Sequence, residues 1–379
     1  MLKDKIICGD AIEEMKKLPD ECVDLIFADP PYWMRVEGVL NRVEGTPYDG
    51  CDDPWDNQFE TTKDYNDFTR AWLGECKRIL KPNGSIWVIG GMQCIYTIGA
   101  IMQELGFWFI NDVIWYKKNP TPNFRGARLN NSHETLIWAA KSDKARFTFN
   151  YKTAKELNTD TVDEEDFKKG VRKQLGSVWR IGICQGRERL RRDNGEKLHS
   201  TQKPEELLYR VIAISSNIGD LVFDPFGGTM TTAAVAKRMG RHYLTIEKEL
   251  EYCQYGERRL SSITPVIGDI EKAVYDEKPL RVTMREMIAA GYFIAGETFY
   301  LKDFTEGGKL QPDGKLLYDG KIMDMHSCAA LVKGSRAKRL NGFKVWYVLR
   351  NDGLVNIDAV RESYRKFKRE MLAGGEKQS

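Results

Sequence analysis

The stretch that most restricts this chain is Val23-Asp24-Leu25-Ile26-Phe27-Ala28 followed by Asp29-Pro30-Pro31-Tyr32. A mostly apolar run this short, closed by two prolines, fits a buried strand and not a helix. Each proline fixes its own φ and restricts the residue before it, so the strand stops at Asp29 and the chain leaves it extended. An acid, two rigid carbonyls and an aromatic ring are therefore expected at the C-terminal end of a buried strand. In open α/β sheets that edge is where ligands bind.

A second anchor lies late in the chain. The run 220–224 is a strand ending at Asp224, followed by Pro225-Phe226-Gly227-Gly228-Thr229-Met230, a helix over 231–239 and a further strand ending at Glu247. Turn, helix, strand and acid at these distances match a nucleoside-binding βαβ unit, with close backbone approach at the glycines and an acid for ribose hydroxyls. Between the anchors, helical spacing over 65–80 and 95–105 alternates with strands over 85–90, 109–116 and 136–140. This alternation predicts a mostly parallel sheet. Lys5 to Cys8 reads as another strand, and Asp10 as the N-cap of the helix after it. His199-Ser200-Thr201-Gln202-Lys203-Pro204 precedes a helix that Ser200 or Thr201 could cap.

The acid-and-carbonyl clamp suits one kind of substrate. An exocyclic amine on a nucleobase is a weak nucleophile because its lone pair is conjugated into the ring. Acceptors at Asp29 and the Pro30 carbonyl would take both amine hydrogens and aim the lone pair, and Tyr32 would stack on the base. Residues 33–59, with Arg35 and Arg42, follow at once and read as a lid over this clamp, since so long a loop is uncommon without a role. Residues 117–131 mix cations, amides and an aromatic; Asn123, Arg125, Arg128 and Asn130 are side chains suited to phosphates and base edges. The stretch 160–166 reads as a solvated acidic insertion, and 187–192 as a basic one near phosphate.

The chain divides into residues 1–262, a linker over 263–282 and a small α+β unit over 283–379. In that unit, helices are expected over 284–290, 327–333 and 357–371, a hairpin turn at Pro312-Asp313-Gly314 and a strand over 343–350. Lys333, Arg336, Lys338 and Arg339, with Arg361, Arg365, Lys366, Lys368 and Arg369 and the interleaved Trp346 and Tyr347, make this unit a candidate nucleic-acid face. The net charge of +3 adds little, because distribution matters more than sum. Eight cysteines without Cys-x-x-Cys spacing, and four histidines, argue against a metal site and for a reducing cytoplasm. No apolar run approaches a membrane span, and no signal peptide is expected.

With both anchors and the His199–Pro204 motif in place, the chain resembles the β-class DNA adenine-N6 methyltransferases, in which the catalytic motif precedes the cofactor motif. Stretches 112–118, 119–128, 133–135 and 147–152, and the basic tail, further resemble the cell-cycle-regulated and restriction-associated enzymes that methylate the inner adenine of GANTC. The resemblance implies an α/β, Rossmann-like methyltransferase sheet flanked by helices, plus a small C-terminal DNA-binding domain. It also implies S-adenosylmethionine as cofactor, duplex DNA as substrate, base flipping and direct in-line transfer. Catalytic residues would be Asp29, Pro30, Pro31 and Tyr32. Asp10 and Ala11 would lie near the cofactor's adenine, Glu247 at its ribose and Phe226, Gly227, Gly228 and Thr229 at its methionine moiety, with Asp29 and Asp224 also binding the cofactor. Thr201, Lys203 and Pro204 would lie near its carboxylate. A palindromic target is compatible with a homodimer, and the restriction-associated relatives with a cognate endonuclease; location would be the bacterial or phage nucleoid in the cytoplasm.

The sequence departs from the family at Met230, where a glycine is usual; a side chain there must point away from the cofactor or alter its site. Two other readings stand beside this one: methylation of cytosine N4, which needs the same amine chemistry but more often opens its motif with serine, and a catalytically silent, sequence-specific DNA-binding protein, which only Met230 supports.

Overall fold

The computed structural model describes residues 2–34, 40–41, 47–48, 56, 58–122, 128–266, 268, 280–351 and 353–375. The chain separates into two compact units, Met1–Glu277 and Lys278–Ser379.

The first unit is built on an eight-stranded sheet among the described residues. Its strands are β1 (Lys5–Cys8), β2 (Val23–Ala28), β3 (Leu80–Gly90), β4 (Trp108–Lys117), β5 (His133–Ala140), β6 (Val178–Ile181), β7 (Leu221–Asp224) and β8 (His242–Glu247). They lie in the order β1-β8-β7-β2-β3-β5-β4-β6. All neighbours are parallel except at β5, which runs antiparallel to both β3 and β4. The sheet is thus mostly parallel, as the alternation predicts, and mixed through one reversed strand. The helices α1 (Ala11–Met15), α2 (Thr62–Ile79), α3 (Ile95–Glu104), α4 (Glu205–Ser215), α5 (Thr231–Arg238) and α6 (Leu250–Ser261) accompany it.

Each face of the sheet has its own apolar core. Val23, Ile26, Ile86 and Val88 face Trp72, Leu73 and Ile98 of α2 and α3. Leu25, Phe27, Trp87 and Trp138 face Leu208, Val211 and Ile212 of α4 and Ala233 and Ala234 of α5. Burial on both faces is why β2 and β3 read as continuous apolar runs without alternation. α2 starts at a capping box in which Thr61 and Asp64 satisfy each other's backbone amides.

Several element boundaries differ from expectation. β3 begins at Leu80, not Ser85, because Leu80 pairs with Val23 ahead of an irregularity that takes up Pro82 and Gly84. α4 has no Ser or Thr cap: Pro204 is the N-cap residue, and the Glu188 carboxylate accepts the Glu205 amide instead. Asp160, expected in solvent, is a buried partner of Arg210 at 2.6 Å. In the basic stretch, Arg192 pairs with Glu251 at 2.8 Å and Arg189 donates to the Cys184 carbonyl.

The second unit carries a six-stranded sheet among the described residues, with antiparallel pairing throughout. A hairpin joins Glu306–Leu310 to Leu316–Tyr318 around the expected Pro312-Asp313-Gly314 turn. Its core gathers Met287, Phe293, Phe299, Leu316 and Cys328 about Trp346. A side chain at Gly307 would place its Cβ 2.1 Å from the Trp346 ring, so only glycine lets the indole lie against that strand. The expected strand over 343–350 is split into a helical turn, Gly342–Val345, and a strand, Tyr347–Arg350. Burial of Trp346, with its indole N–H donating to the Met325 carbonyl at 2.9 Å, makes that break. Trp346 is therefore core and cannot stack on a base.

Candidate active site

The parallel order β1-β8-β7-β2 brings four strand ends to one edge. Leu25 and Ile26 pair with Val222 and Phe223, so Asp29 and Asp224 emerge side by side although most of the first unit separates them in sequence. Cys8 pairs with Glu247, which adds Asp10 and Glu247 to the same edge. A cavity of about 1020 Å³ opens there. Its lining includes Asp10, Ala11, Asp29, Pro30, Pro31, Tyr32, Thr201, Lys203, Asp224, Phe226, Gly227, Gly228, Thr229 and Glu247. Arg128 and Asn130 lie exposed at its rim. Pro204 is not among the lining residues; it is buried at the start of α4. Arg35, Arg42, Asn123 and Arg125 lie outside the described residues, as does most of the expected lid; within it, Leu40–Asn41 pairs with Pro47–Tyr48. Lys333, Arg336, Lys338 and Arg339 are exposed in the second unit, with Arg339 paired to Asp324 at 3.0 Å.

The proline turn is held from two sides. The Tyr65 hydroxyl donates to the Pro31 carbonyl at 2.9 Å. Asp56, which is buried, accepts three successive amides: Tyr32 at 2.7 Å, Trp33 at 2.8 Å and Met34 at 2.7 Å. Those amides can converge because Trp33 adopts a left-handed backbone, φ 52°. The Trp33 ring stacks on Tyr65 at 5.7 Å. Asp56 is a residue that sequence reasoning misses; its only signal is an acid shortly after the motif.

Within the turn, Asp29 has two different oxygens. Oδ2 accepts from Lys203 Nζ at 2.7 Å. Oδ1 is buried and has no hydrogen-bond partner. Such an acceptor is costly to leave unmatched, and it marks where a donor from a substrate would bind. The Tyr32 hydroxyl donates to Glu134 Oε2 at 2.9 Å, and Lys117 Nζ donates to Glu134 Oε1 at 2.6 Å. Burial and the facing Asp29 and Glu134 carboxylates push the Tyr32 phenol well above its ordinary value, so it stays a donor. Burial alone would raise the Glu134 carboxyl, but Lys203, Lys117 and its hydrogen bonds together hold it below the usual range. In the sequence, Glu134 and Lys117 are no more than parts of a strand entry and a polar loop.

At the second anchor, Gly227 is enclosed: an added Cβ would lie 2.3 Å from Thr245 Oγ1. Gly228 has φ +49° and donates its amide to Glu247 Oε2 at 2.6 Å, while Glu247 Oε1 accepts the Glu249 amide at 2.8 Å. Burial raises the Glu247 carboxyl. Asp224 accepts the Phe226 amide at 2.9 Å and the Thr232 hydroxyl at 2.5 Å, and burial pushes it up to about 7. Asp10 caps α1 through the Ile12 and Glu13 amides. His199 lines the cavity beside Gly228, and burial lowers it to about 3, so it is neutral.

Met230 has a left-handed backbone, φ 59°, and is fully buried. Its side chain belongs to the core between the sheet and α5, where it fills space that a Cβ on Gly256 would need. It does not line the cavity. The departure from glycine thus puts no side chain into the cavity, although the Met230 sulfur packs behind Gly227, and this takes away the feature that favoured a catalytically silent protein.

Comparison with known proteins agrees with this geometry. A family model described as DNA methylase, for N6 and N4 methyltransferases, matches residues 23–258. The chain is 45% identical over 359 residues to the Type II methyltransferase M.HinfI of Haemophilus influenzae, covering 95% of this chain and 96% of that protein. It is 36% identical over 258 residues to the Type II methyltransferase M2.DpnII of Streptococcus pneumoniae, covering 68% of this chain and 89% of that one. The PvuII DNA methyltransferase, cytosine-N4-specific, shares the fold with a TM-score of 0.50 and 19% identity over 73% of this chain and 94% of its own.

Proposed function

The chain belongs to the DNA methylase family, and from that premise we propose that it methylates the N6 amine of adenine in duplex DNA, within GANTC, with S-adenosylmethionine as methyl donor. The observation that carries this reading is Asp29 Oδ1, a buried acceptor without a partner, in a residue that lines a large cavity together with the adjoining Pro30. Asp29 at the head of the motif favours adenine over cytosine. The 45% identity to M.HinfI over nearly the full chain supports a DNA methyltransferase, and the GANTC assignment rests on the family resemblance of the stretches 112–118, 119–128, 133–135 and 147–152.

The residues at the second anchor suit the cofactor. Gly227 and Gly228 bring bare backbone to the cavity, and Glu247 offers a carboxylate for ribose hydroxyls. S-Adenosylmethionine supplies, when bound, an electrophilic methyl group on a positively charged sulfur. The protein's part is orientation and charge. Asp29 and the Pro30 carbonyl would accept the two amine hydrogens, freeing the lone pair from the ring and aiming it at the methyl group. Tyr32 stacks on the flipped base, worth roughly 1–3 kcal/mol. As the nitrogen–carbon bond forms and the sulfur–carbon bond breaks to leave a neutral thioether, positive charge would pass to N6, where the Asp29 carboxylate would stabilise it until one proton leaves to solvent. The exposed Lys333, Arg336 and Lys338 of the second unit contact phosphate. A palindromic site suits a homodimer, and a cognate endonuclease would make the protein half of a restriction pair.

Incubation of the pure protein with S-adenosylmethionine and plasmid DNA, followed by sequencing for modified bases, tests this. N6-methyladenine confined to GANTC is expected. N6-methyladenine at another motif would move the recognition assignment, and N4-methylcytosine would overturn the choice of base.

A further inference from the structure

Four charged side chains converge behind the proline turn, from four places in the chain: Asp29 after β2, Lys117 at the end of β4, Glu134 in β5 and Lys203 just before α4. They form one continuous line. Lys117 meets Glu134 Oε1 at 2.6 Å, Lys203 Nζ lies 3.9 Å from Glu134 Oε2, and the same Nζ meets Asp29 Oδ2 at 2.7 Å. The side chains are only 8% exposed at Lys203, 14% at Glu134 and 16% at Lys117. Cation and anion alternate along the line, and its charges cancel. Buried charges are tolerated when paired in this way, and a buried carboxylate without a partner cation takes up a proton instead.

Lys203 holds one oxygen of Asp29, and the other has no hydrogen-bond partner. A carboxyl that had taken up a proton would lose acceptor capacity and could rotate its hydroxyl toward the amine site. We propose that Lys203 is a positioning residue for Asp29, holding Oδ2 so that the carboxyl keeps one orientation and stays ionised as the acceptor for the target amine, while Glu134 and Lys117 hold Lys203 and Tyr32 in place. This rests on Asp29 being the acceptor for the amine. It assigns Lys203 to the clamp and away from the cofactor's carboxylate.

The groups that face Asp29 are Lys203 from the segment before α4, Glu134 from β5, Tyr32 on its own turn, Cys94 at the start of α3 and Asp224 at the end of β7. Burial pushes the Asp29 carboxyl up, Lys203 is the main opposing influence, and Glu134 pushes it further up. Tyr32 and Cys94, the latter raised to about 12 by burial, stay neutral. Loss of Lys203 therefore raises Asp29 further, and activity that needs the carboxylate is lost at a higher pH.

The test uses the full-length protein and the variants Lys203→Met and Lys203→Arg, with melting temperature as the check on folding. Lys203→Met should move the acid limb of the kcat–pH profile up by at least about one unit, which lowers kcat about tenfold on the acid side of the profile, with recovery toward alkaline pH. Its affinity for S-adenosylmethionine, measured by calorimetry, should stay within about threefold, and Lys203→Arg should restore the limb by returning the cation. A limb that stays in place in Lys203→Met overturns the proposal; if affinity also falls tenfold or more, Lys203 is a cofactor ligand. Should the Met variant not fold, Lys203→Gln, which also removes the cation, is read by the same two measurements with the same outcomes. A ¹³C carboxyl titration of Asp29, assigned with Asp29→Asn, reads the shift without turnover. Wild-type protein that failed to methylate adenine would thus sink the functional reading and still leave the role of Lys203 decided.

Discussion

Asp224 shows how a single residue can be legible in type and not in state. A strand ending in Asp before Pro-Phe-Gly-Gly marks a turn, and the residue does hold that turn through the Phe226 amide and the Thr232 hydroxyl. Its ionisation is decided by neighbours that sequence does not reveal. Burial, with Asp29 and Glu247 close by, lifts it to about 7. An unfolded aspartate titrates near 3.9. The folded state therefore binds the extra proton between about pH 4 and 7, and this group's contribution to stability is full below that window and declines as pH rises through it. Asp224→Asn should flatten the fall of melting temperature across that window. A wild-type slope retained in the variant would assign the pH dependence to other carboxyls. Asp56 and Glu134 belong to the same lesson. Each is an ordinary acid in the sequence; folding makes one the acceptor for three amides and the other a junction between Tyr32 and two lysines.

At the scale of elements, the apolar runs of β2, β3 and β7 and the spacing of α2 and α3 are readable because burial on one or both faces leaves a periodic trace. Ends are less readable. The start of α4 is stabilised by Glu188, a residue well upstream, and no local capping signal records that. Residue 230 is the sharpest case. As the N-cap of α5 it takes a left-handed backbone that glycine adopts freely, at a strain of roughly 1–2 kcal/mol for other residues. The methionine is kept there by burial. Met230→Gly should relieve that strain but lose a buried side chain, whose truncation typically costs about 2–5 kcal/mol. The net expectation is a destabilisation centred on about 2 kcal/mol, within about 0–4 kcal/mol, in denaturant unfolding. Affinity for S-adenosylmethionine should not change, because the side chain is not in the cavity wall. A variant that gained affinity tenfold would show that Met230 does restrict the cofactor site.

For the molecule as a whole, the basic tail has to be sorted residue by residue. Arg361 stacks on Phe343 and pairs with Asp358, Arg365 donates to the Leu280 carbonyl at 2.9 Å and pairs with Glu362, and Lys368 pairs with Glu286 at 2.7 Å. These serve the second unit's own packing. Lys333, Arg336 and Lys338 are exposed in the loop after Met325–Val332 and are the better candidates for phosphate. Replacing these three with alanine should weaken DNA binding and lower the slope of log affinity against log salt by about 2–3, near 0.9 for each phosphate no longer neutralised. Affinity for S-adenosylmethionine should be unaffected. An unchanged salt slope would remove this loop from the DNA interface.

The sequence by itself determined the two strand ends with their acids, the glycine turn that brings backbone to the cavity, and the α/β class. Those depend on local conformation and burial periodicity, which residue order expresses directly. Only the tertiary structure decided that Asp29 and Asp224 stand side by side, that Lys203 reaches Asp29, and that Met230 and Trp346 turn into cores. Those depend on strand order and on the meeting of distant segments. Their physical origin is the choice of which apolar faces pack together, and no local pattern specifies it.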